Sequence, residues 1–368
     1  MSDSPRTSAL ASRHQALGSG LEDWNDMGTA WSYNTDPNDE HDAVREAAGL
    51  FDMSPLKKVY VRGPDALQVV DYMISRDMTK VAPGHSVYGS ILTDQGTMAD
   101  DAIIANNGDN QYLYCHGSGD SMALLQAAAQ GLDVSIELDD DLHNIAVQGP
   151  LALALVNANT TSDVAEMGYF QHQQVELCGH SVRLSRTGYS GERGYEIFCS
   201  AQQAPLIWDA LLEQGADQGV MACSFTALDK VRIEAGLLFY GYDMTEDHTP
   251  WEVGLGFTIN RNKSDYRGKQ AALASEASPK LVGAGVGISG EQPLEGGETL
   301  WLNGEEVGVI NSPGFSHRLG QTLALAHIQA SANTAGTELE VRSEGYNGTA
   351  TIASLPFYDP QKSRTHAE

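Results

Sequence analysis

The chain has 368 residues, 41% hydrophobic and 19% charged, with a formal charge of −27 from 49 acidic and 22 basic residues. That length exceeds one ordinary core and predicts two or three domains, and so negative a field excludes nucleic acid and anionic membranes as partners. No apolar run approaches the roughly 18 residues of a membrane span, and the start, MSDSPRTSALASRHQ, lacks the apolar stretch of a secretory signal. Four scattered cysteines (Cys115, Cys178, Cys199, Cys223) form no CxxC pair, which favours reduced thiols in a cytoplasmic protein. Neither Cys115–His116 nor Cys178 with His180 has the spacing of a metal site, and no metal is expected.

In chain order, residues 1–35 read as a polar, loose arm anchored by Trp24, Trp31 and Tyr33. Asn38–Leu50 is expected to be helical, because His41, Val44, Ala47 and Ala48 recur at helical spacing. Lys58–Arg62 alternates as a strand, and Asp65–Ile74 resumes a helical pattern after Gly63-Pro64. Val87–Leu92 and Ala102–Ala105 read as strands on either side of the TDQGTMADD turn, Thr93–Asp101. A helix over Ser121–Gln130 precedes strands at Val134–Leu138 and Ile145–Val147, with Asp139–Asp141 on a solvated turn between them. Leu151–Val156, Pro205–Glu213 and Ser224–Phe239 complete the helices.

After about residue 280 the texture changes. Short apolar runs at Val282–Ile288, Thr299–Leu302, Val307–Ile310, Leu323–Ile328, Leu339–Val341 and Ala350–Ala353 are separated by Gly, Pro and Asn. They predict a small β-barrel or sandwich. The fold class is therefore α+β: an arm (1–35), an α+β region (36–280) divided near 145–160, and a C-terminal β domain (281–368).

The most informative stretch is RTGYSGERGYEI, Arg186–Ile197. Val182 and Leu184 before it, and Tyr195, Ile197 and Cys199 after it, make it a strand, tight polar turn and strand. Its glycines permit close approach of a ligand, and its carboxylates accept hydrogen bonds from the N–H groups of a flat heterocycle such as a pterin. The plain alternative is a decorated hairpin with solvated Glu192 and Glu196.

Further motifs surround it: EHDAVREAAGLFDMS (Glu40–Ser54), the Thr93–Asp101 turn, IAVQGP (Ile145–Pro150), LDKVRIEAGLLFYGYDM (Leu228–Met244), TPWEVGLGFTI (Thr249–Ile259) and DYRGKQAAL (Asp265–Leu273). In this order and spacing, over residues 35–358, they resemble the folate-dependent aminomethyltransferase family, the T-protein of the glycine cleavage system. Tetrahydrofolate-dependent demethylases and the folate domains of sarcosine and dimethylglycine dehydrogenases belong to the same superfamily. The resemblance implies two related α+β domains and a C-terminal β-barrel in a cloverleaf around a folate channel, with tetrahydrofolate as cofactor.

It also implies roles for individual residues. Asp101 matches the family aspartate that sits near N5 of folate and assists transfer there, and Glu196 matches the glutamate that receives pterin hydrogen bonds. Glu192 is the preceding acid of the same hairpin. Tyr88 matches a channel tyrosine, and Tyr189 is placed to stack on the pterin or line the channel; either tyrosine alone would more simply be core. Arg232 matches a family arginine that faces folate or pairs along its helix with Asp229 or Glu234. His116, Tyr240 and Trp251 are candidates for the substrate end.

Departures from the family pattern lie nearby: Leu228 replaces an arginine, His116 an asparagine, and WNDMGTAW a PFAGW-like segment. The donor reading accordingly stays double. One donor is an aminomethyl group on a lipoyl carrier protein, giving methylenetetrahydrofolate and ammonia. The other is a small methylated amine, sulfonium or aryl methyl ether, with Trp24, Trp31 or Trp251 available to hold an onium cation. A subunit of a sarcosine- or dimethylglycine-oxidising complex is a further possibility. A folate-binding relative serving iron–sulfur assembly is disfavoured, because RTGYSGERGYE lacks that class's cysteine.

Overall fold

Three large sheet structures, and a two-stranded ribbon of Glu22–Trp24 with Met27–Thr29, organise residues 4–367, the span described by the computed structural model. A six-stranded sheet runs in the order His172–Leu177, His180–Ser185, Gly194–Ser200, Leu142–Gln148, Gly49–Asp52 and Met221–Ala222. A five-stranded sheet runs His85–Leu92, Met98–Asn106, Gln111–His116, Lys57–Arg62 and Ser135–Leu138. Six strands between Leu281 and Ala353 close into a barrel, and all six expected apolar runs lie on them. Val286, Leu300, Ile310, Ile328, Val341 and Ile352 fill its interior.

The two sheet units are not consecutive. The chain lays Gly49–Asp52 into the larger sheet, builds the whole five-stranded unit, and returns with Leu142–Gln148 paired antiparallel to its starting strand, Phe51 opposite Ala146. A single boundary near 145–160 therefore gives way to an excursion spanning 57–138. The cause lies in Gly49–Asp52. Its apolar residues continue the helical spacing of the preceding segment, but the helix stops at Glu46 and Ala47 takes a non-helical conformation. The helix itself starts as its sequence dictates, with Asp36 accepting from the Asn38 N–H at 2.8 Å and Pro37 in the first turn.

The expected loose arm is packed down instead. Leu10 and Met27 are fully buried, and His14 Nε2 lies 3.0 Å from Asp52 Oδ2, which also accepts from the Ser8 hydroxyl at 2.5 Å. These buried polar contacts tie the arm to the start of the larger sheet. A polar composition hid them, since pairing partners are invisible in sequence.

The helix Phe225–Glu234 ends short of the expected Phe239. Gly236 adopts φ +66°, and its left-handed conformation turns the chain out of the helix. The segment released, Leu237–Asp243, lines the site described next. Among the described residues, no helix is long and apolar enough to cross a membrane. All four cysteines are free thiols.

Candidate active site

Asp101 stands within the strand Met98–Asn106, opposite Ser90, rather than at its entry. Side chains alternate across a strand, so Asp101 shares a face with Ile103 and, across the register, with Tyr88 and Cys115. Asp100 faces the other way, into the core. There its Oδ2 accepts from the Ser121 hydroxyl at 2.7 Å and lies 2.8 Å from His116 Nδ1. Its Oδ1 accepts the Asp101 N–H at 2.9 Å.

The two neighbouring acids thus have opposite surroundings. Burial, followed by the Asp100 charge, raises the Asp101 carboxyl to about 7, and the nearby Tyr88 hydroxyl only partly offsets this. Burial and the Asp101 charge likewise push the Tyr88 hydroxyl well above its ordinary range, so it stays a donor. A carboxyl that is half ionised near neutral pH is suited to proton transfer.

His116 was expected at the substrate end, but it pairs with Ala102 and lies on the core face with Asp100. Its contribution is to hold Asp100. The adjacent Cys115 points to the opposite face, which is why the Cys115–His116 pair cannot converge on one ion.

Tyr88, Leu238, Tyr240 and Trp251 pack around one apolar cluster built on Leu92, Met98 and Met244. Tyr240 feels the Asp100 and Asp101 charges, after burial, as a raised hydroxyl, and its oxygen sits 3.5 Å from Met98 O. Trp251 has a structural duty: its indole N–H donates to Ala272 O at 2.7 Å while Arg261 stacks on its ring.

The glycine-rich hairpin forms as expected, with Ser185 opposite Glu196. Glu196 accepts from Asn144 Nδ2 at 2.7 Å and from the Thr187 hydroxyl, which leaves acceptor capacity on both oxygens. Gly188 and Gly194 press against the Gln148 amide, and a Cβ at either position would fall within 2.5 Å of it. A side chain at either position would have to displace that amide.

Glu192 differs. Arg45 Nη1 reaches it at 2.9 Å and Arg364 Nε at 2.7 Å, so its carboxylate is saturated by guanidinium groups rather than open to a ring N–H. Arg45 also binds Glu234 at 2.7 Å and Ser190 O at 2.8 Å. Burial alone would raise Glu234, but contacts with His41 and the Arg45 charge hold it down to about 2. Arg45 escaped the sequence reading. Its signal was a charged residue four positions after His41, on the apolar face of an amphipathic helix.

Tyr189 donates to Leu238 O at 2.5 Å, and burial, with further contributions that include the Asp101 charge, raises its hydroxyl. Its ring lines a cavity of about 150 Å³ together with Trp31, Phe225, Leu228, Phe239 and Tyr242. Arg232 also borders this cavity, but its guanidinium is taken up by Asp229 at 2.7 Å, Ser312 at 2.9 Å, Asp243 and Leu237 O. The helical ion pair is therefore realised, and Arg232 shapes the wall. Trp24 supports the cavity from behind through Phe225 and Phe239.

Two interlocked α+β sheet units and a closed barrel define a T-protein-fold enzyme of the transferase class. Residues 10–263 match the GCVT N-terminal domain, and residues 280–359 match the glycine cleavage T-protein C-terminal barrel domain. The chain belongs to the glycine cleavage T-protein family. The solved structure of glycine cleavage system aminomethyltransferase T from Bartonella henselae aligns with a TM-score of 0.88 at 26% identity, over 96% of this chain and 98% of that one.

Curated relatives divide by chemistry. The heme-dependent oxidative N-demethylase gamma subunit of Ectopseudomonas mendocina (strain ymp) is 43% identical, with 100% of both chains covered. An aminomethyltransferase of Saccharopolyspora erythraea is 32% identical over 96% of this chain and 98% of its own length. The trimethylamine-oxide aldolase of Ruegeria pomeroyi is 33% identical over 89% of this chain but 44% of its own.

Proposed function

We propose that this chain transfers a one-carbon unit at the oxidation level of formaldehyde to N5 of tetrahydrofolate. The observation that carries this reading is the Asp101 carboxyl, raised to about 7, on the same sheet face as Tyr88. Glu196 keeps free acceptor sites for pterin N–H groups, and the tyrosines at 88, 189 and 240 supply flat walls for a heterocycle. Bound reduced folate would supply the nucleophilic nitrogen that takes up the carbon.

The protein's own part is proton management and enclosure. Asp101 accepts the proton that leaves the reacting nitrogen and returns it to the group that departs. Tyr88 holds the Asp101 carboxylate in one orientation. The apolar cluster around Met98, Tyr240 and Leu238 excludes water, which strengthens these interactions.

Donor chemistry follows from the relatives. Two-electron oxidation of an N-methyl amine gives an iminium whose hydrolysis releases formaldehyde, and aldol-type cleavage also releases an aldehyde. The named reactions of the 43% relative and of the aldolase thus leave carbon at one oxidation level. We infer an oxidising partner subunit as the source, in the cytoplasm, where the four free thiols stay reduced. The second reading, aminomethyl transfer from a lipoyl carrier protein, is favoured by full-length similarity to aminomethyltransferases.

The test is incubation of the purified chain with tetrahydrofolate and either formaldehyde, an aminomethyl-loaded lipoyl carrier, or a methylated onium, with folate products identified by mass spectrometry. Faster formation of methylenetetrahydrofolate from formaldehyde than in protein-free buffer, lost in Asp101→Asn, supports the proposal. Product from the lipoyl carrier alone selects the second reading, and methyltetrahydrofolate from an onium overturns both.

A further inference from the structure

The joint between the helix Pro37–Glu46 and the barrel carries a cluster that the transfer chemistry does not use. His41 and Asp42 lie on the helix, and His317 lies in the turn after the strand Glu305–Ser316. Each offers one ligand atom, and these atoms all lie within 4.8 Å of one another.

His41 is 0% exposed, and its Nδ1, 3.7 Å from Asp42 Oδ1, has no hydrogen-bond partner. Its other nitrogen faces Glu234 Oε2 at 2.9 Å, and that carboxylate is in turn held by Arg45 at 2.7 Å and the Ser316 hydroxyl at 2.7 Å. His317 Nε2 lies 2.8 Å from Asp42 Oδ1, while its Nδ1 is buried without a partner. The two imidazoles meet edge to face with centroids 4.8 Å apart.

Buried polar atoms without partners are uncommon and call for a cause. His41 Nδ1 is such an atom, and it lies beside the Asp42 carboxylate that also meets His317 Nε2. We propose that His41, Asp42 and His317 form a binding site for a divalent transition-metal ion of the zinc class, which fastens the N-terminal helix to the barrel. Three lines of chemistry support it. Ligand atoms around a tetrahedral zinc at about 2.1 Å stand roughly 3.4 Å apart, and the two separations from Asp42 Oδ1, 2.8 and 3.7 Å, bracket that value. Glu234 Oε2, 2.9 Å from His41 Nε2, sets a carboxylate against the other imidazole nitrogen, as is common beside a metal-binding histidine. Two nitrogens and one oxygen suit zinc or cobalt rather than magnesium or calcium.

Asp42 and His317 are partly exposed, with side-chain exposures of 40% and 23%, so an ion can enter from solvent. Arg318 also approaches Asp42 Oδ1 at 2.6 Å and pairs with Glu46. Arg318 keeps Glu46 as its second partner when an ion takes Asp42 Oδ1. The site does not depend on the reaction assigned above.

The test uses the full chain after chelator treatment and desalting. Calorimetric titration with zinc is expected to show one equivalent bound, and cobalt to give the intense visible absorption of a four-coordinate ion. The melting temperature should rise by about 3–5 °C at a hundredfold excess of zinc over its Kd. His317→Ala and Asp42→Asn, both at the partly exposed side, should keep the metal-free melting temperature and circular dichroism yet weaken zinc binding at least tenfold. His317→Gln replaces the first variant if it does not fold. Absence of zinc and cobalt uptake by the unmodified chain, or equal uptake by these variants, overturns the proposal.

Discussion

Asp101 and Glu234 are both enclosed acids, yet they end about five pH units apart in character. Burial and the Asp100 charge raise Asp101 to about 7, with one tyrosine hydroxyl in partial compensation. Glu234 is met by Arg45, His41 and Ser316, and these overturn its burial and hold it at about 2. The difference teaches that enclosure alone does not make an acid reactive. What matters is whether cations and donors are supplied. The five-stranded sheet withholds them at Asp101, while the joint of helix, hairpin and C-terminal segment supplies them in excess.

The sharpest way to break this contrast is Asp101→Asn. Turnover should fall about 10²–10⁴-fold with the fold intact, read from the initial rate of methylenetetrahydrofolate formation. The same substitution separates function from stability. An acid whose carboxyl is raised in the folded state binds more protons folded than unfolded between about pH 4 and 7, so its contribution becomes unfavourable as pH rises through that window. Asp101→Asn should therefore stabilise the protein at pH 8, by on the order of 2 kcal/mol, and leave it unchanged near pH 3.5. Equal melting curves at both pH values would contradict the raised carboxyl.

Arg45→Met attacks the other side. It strips one cation from both Glu192 and Glu234 in a buried setting, and should destabilise the protein by about 3–5 kcal/mol in urea unfolding. A loss below about 1 kcal/mol would mean that the network contributes little. Glu196→Gln should raise the apparent KM for tetrahydrofolate roughly tenfold, as one charge-assisted contact is lost, with a smaller effect on kcat.

Asp100→Asn should move the pH–rate midpoint from near 7 to lower pH, because the neighbouring charge that raises Asp101 is gone. With ionised Asp101 as the proposed proton acceptor, activity should fall with each step of acidification below the midpoint, and this variant should retain more of it at pH 6. The smallest effect is expected at Arg364→Ala. That guanidinium is 36% exposed, and its pair with Glu192 should contribute about 1 kcal/mol or less.

Much of the fold around this site was legible in the residues. The hairpin around Glu196, the turn leading to Asp101, the strand that carries Tyr88 and the six barrel strands carry local signals: glycine punctuation, alternation and short apolar runs. The excursion of 57–138 out of the larger sheet was not legible, because Gly49–Asp52 looks like the end of a helix until its partner strand, ninety residues away, is in place. The commitment of Glu192 to ion pairs was equally hidden, as was the second acid on Arg232 beyond its helical pair with Asp229. Their partners Arg364 and Asp243 lie at distant or irregular positions that spacing does not predict.

The sequence by itself determined the class of structure and which acids and tyrosines could act, since backbone preferences and side-chain chemistry are written residue by residue. Only the tertiary structure decided which acid has its carboxyl raised. The proton affinity of a carboxyl depends on what surrounds it in space, and strand alternation placed Asp100 and His116 on one face of the sheet and Asp101 with Tyr88 on the other.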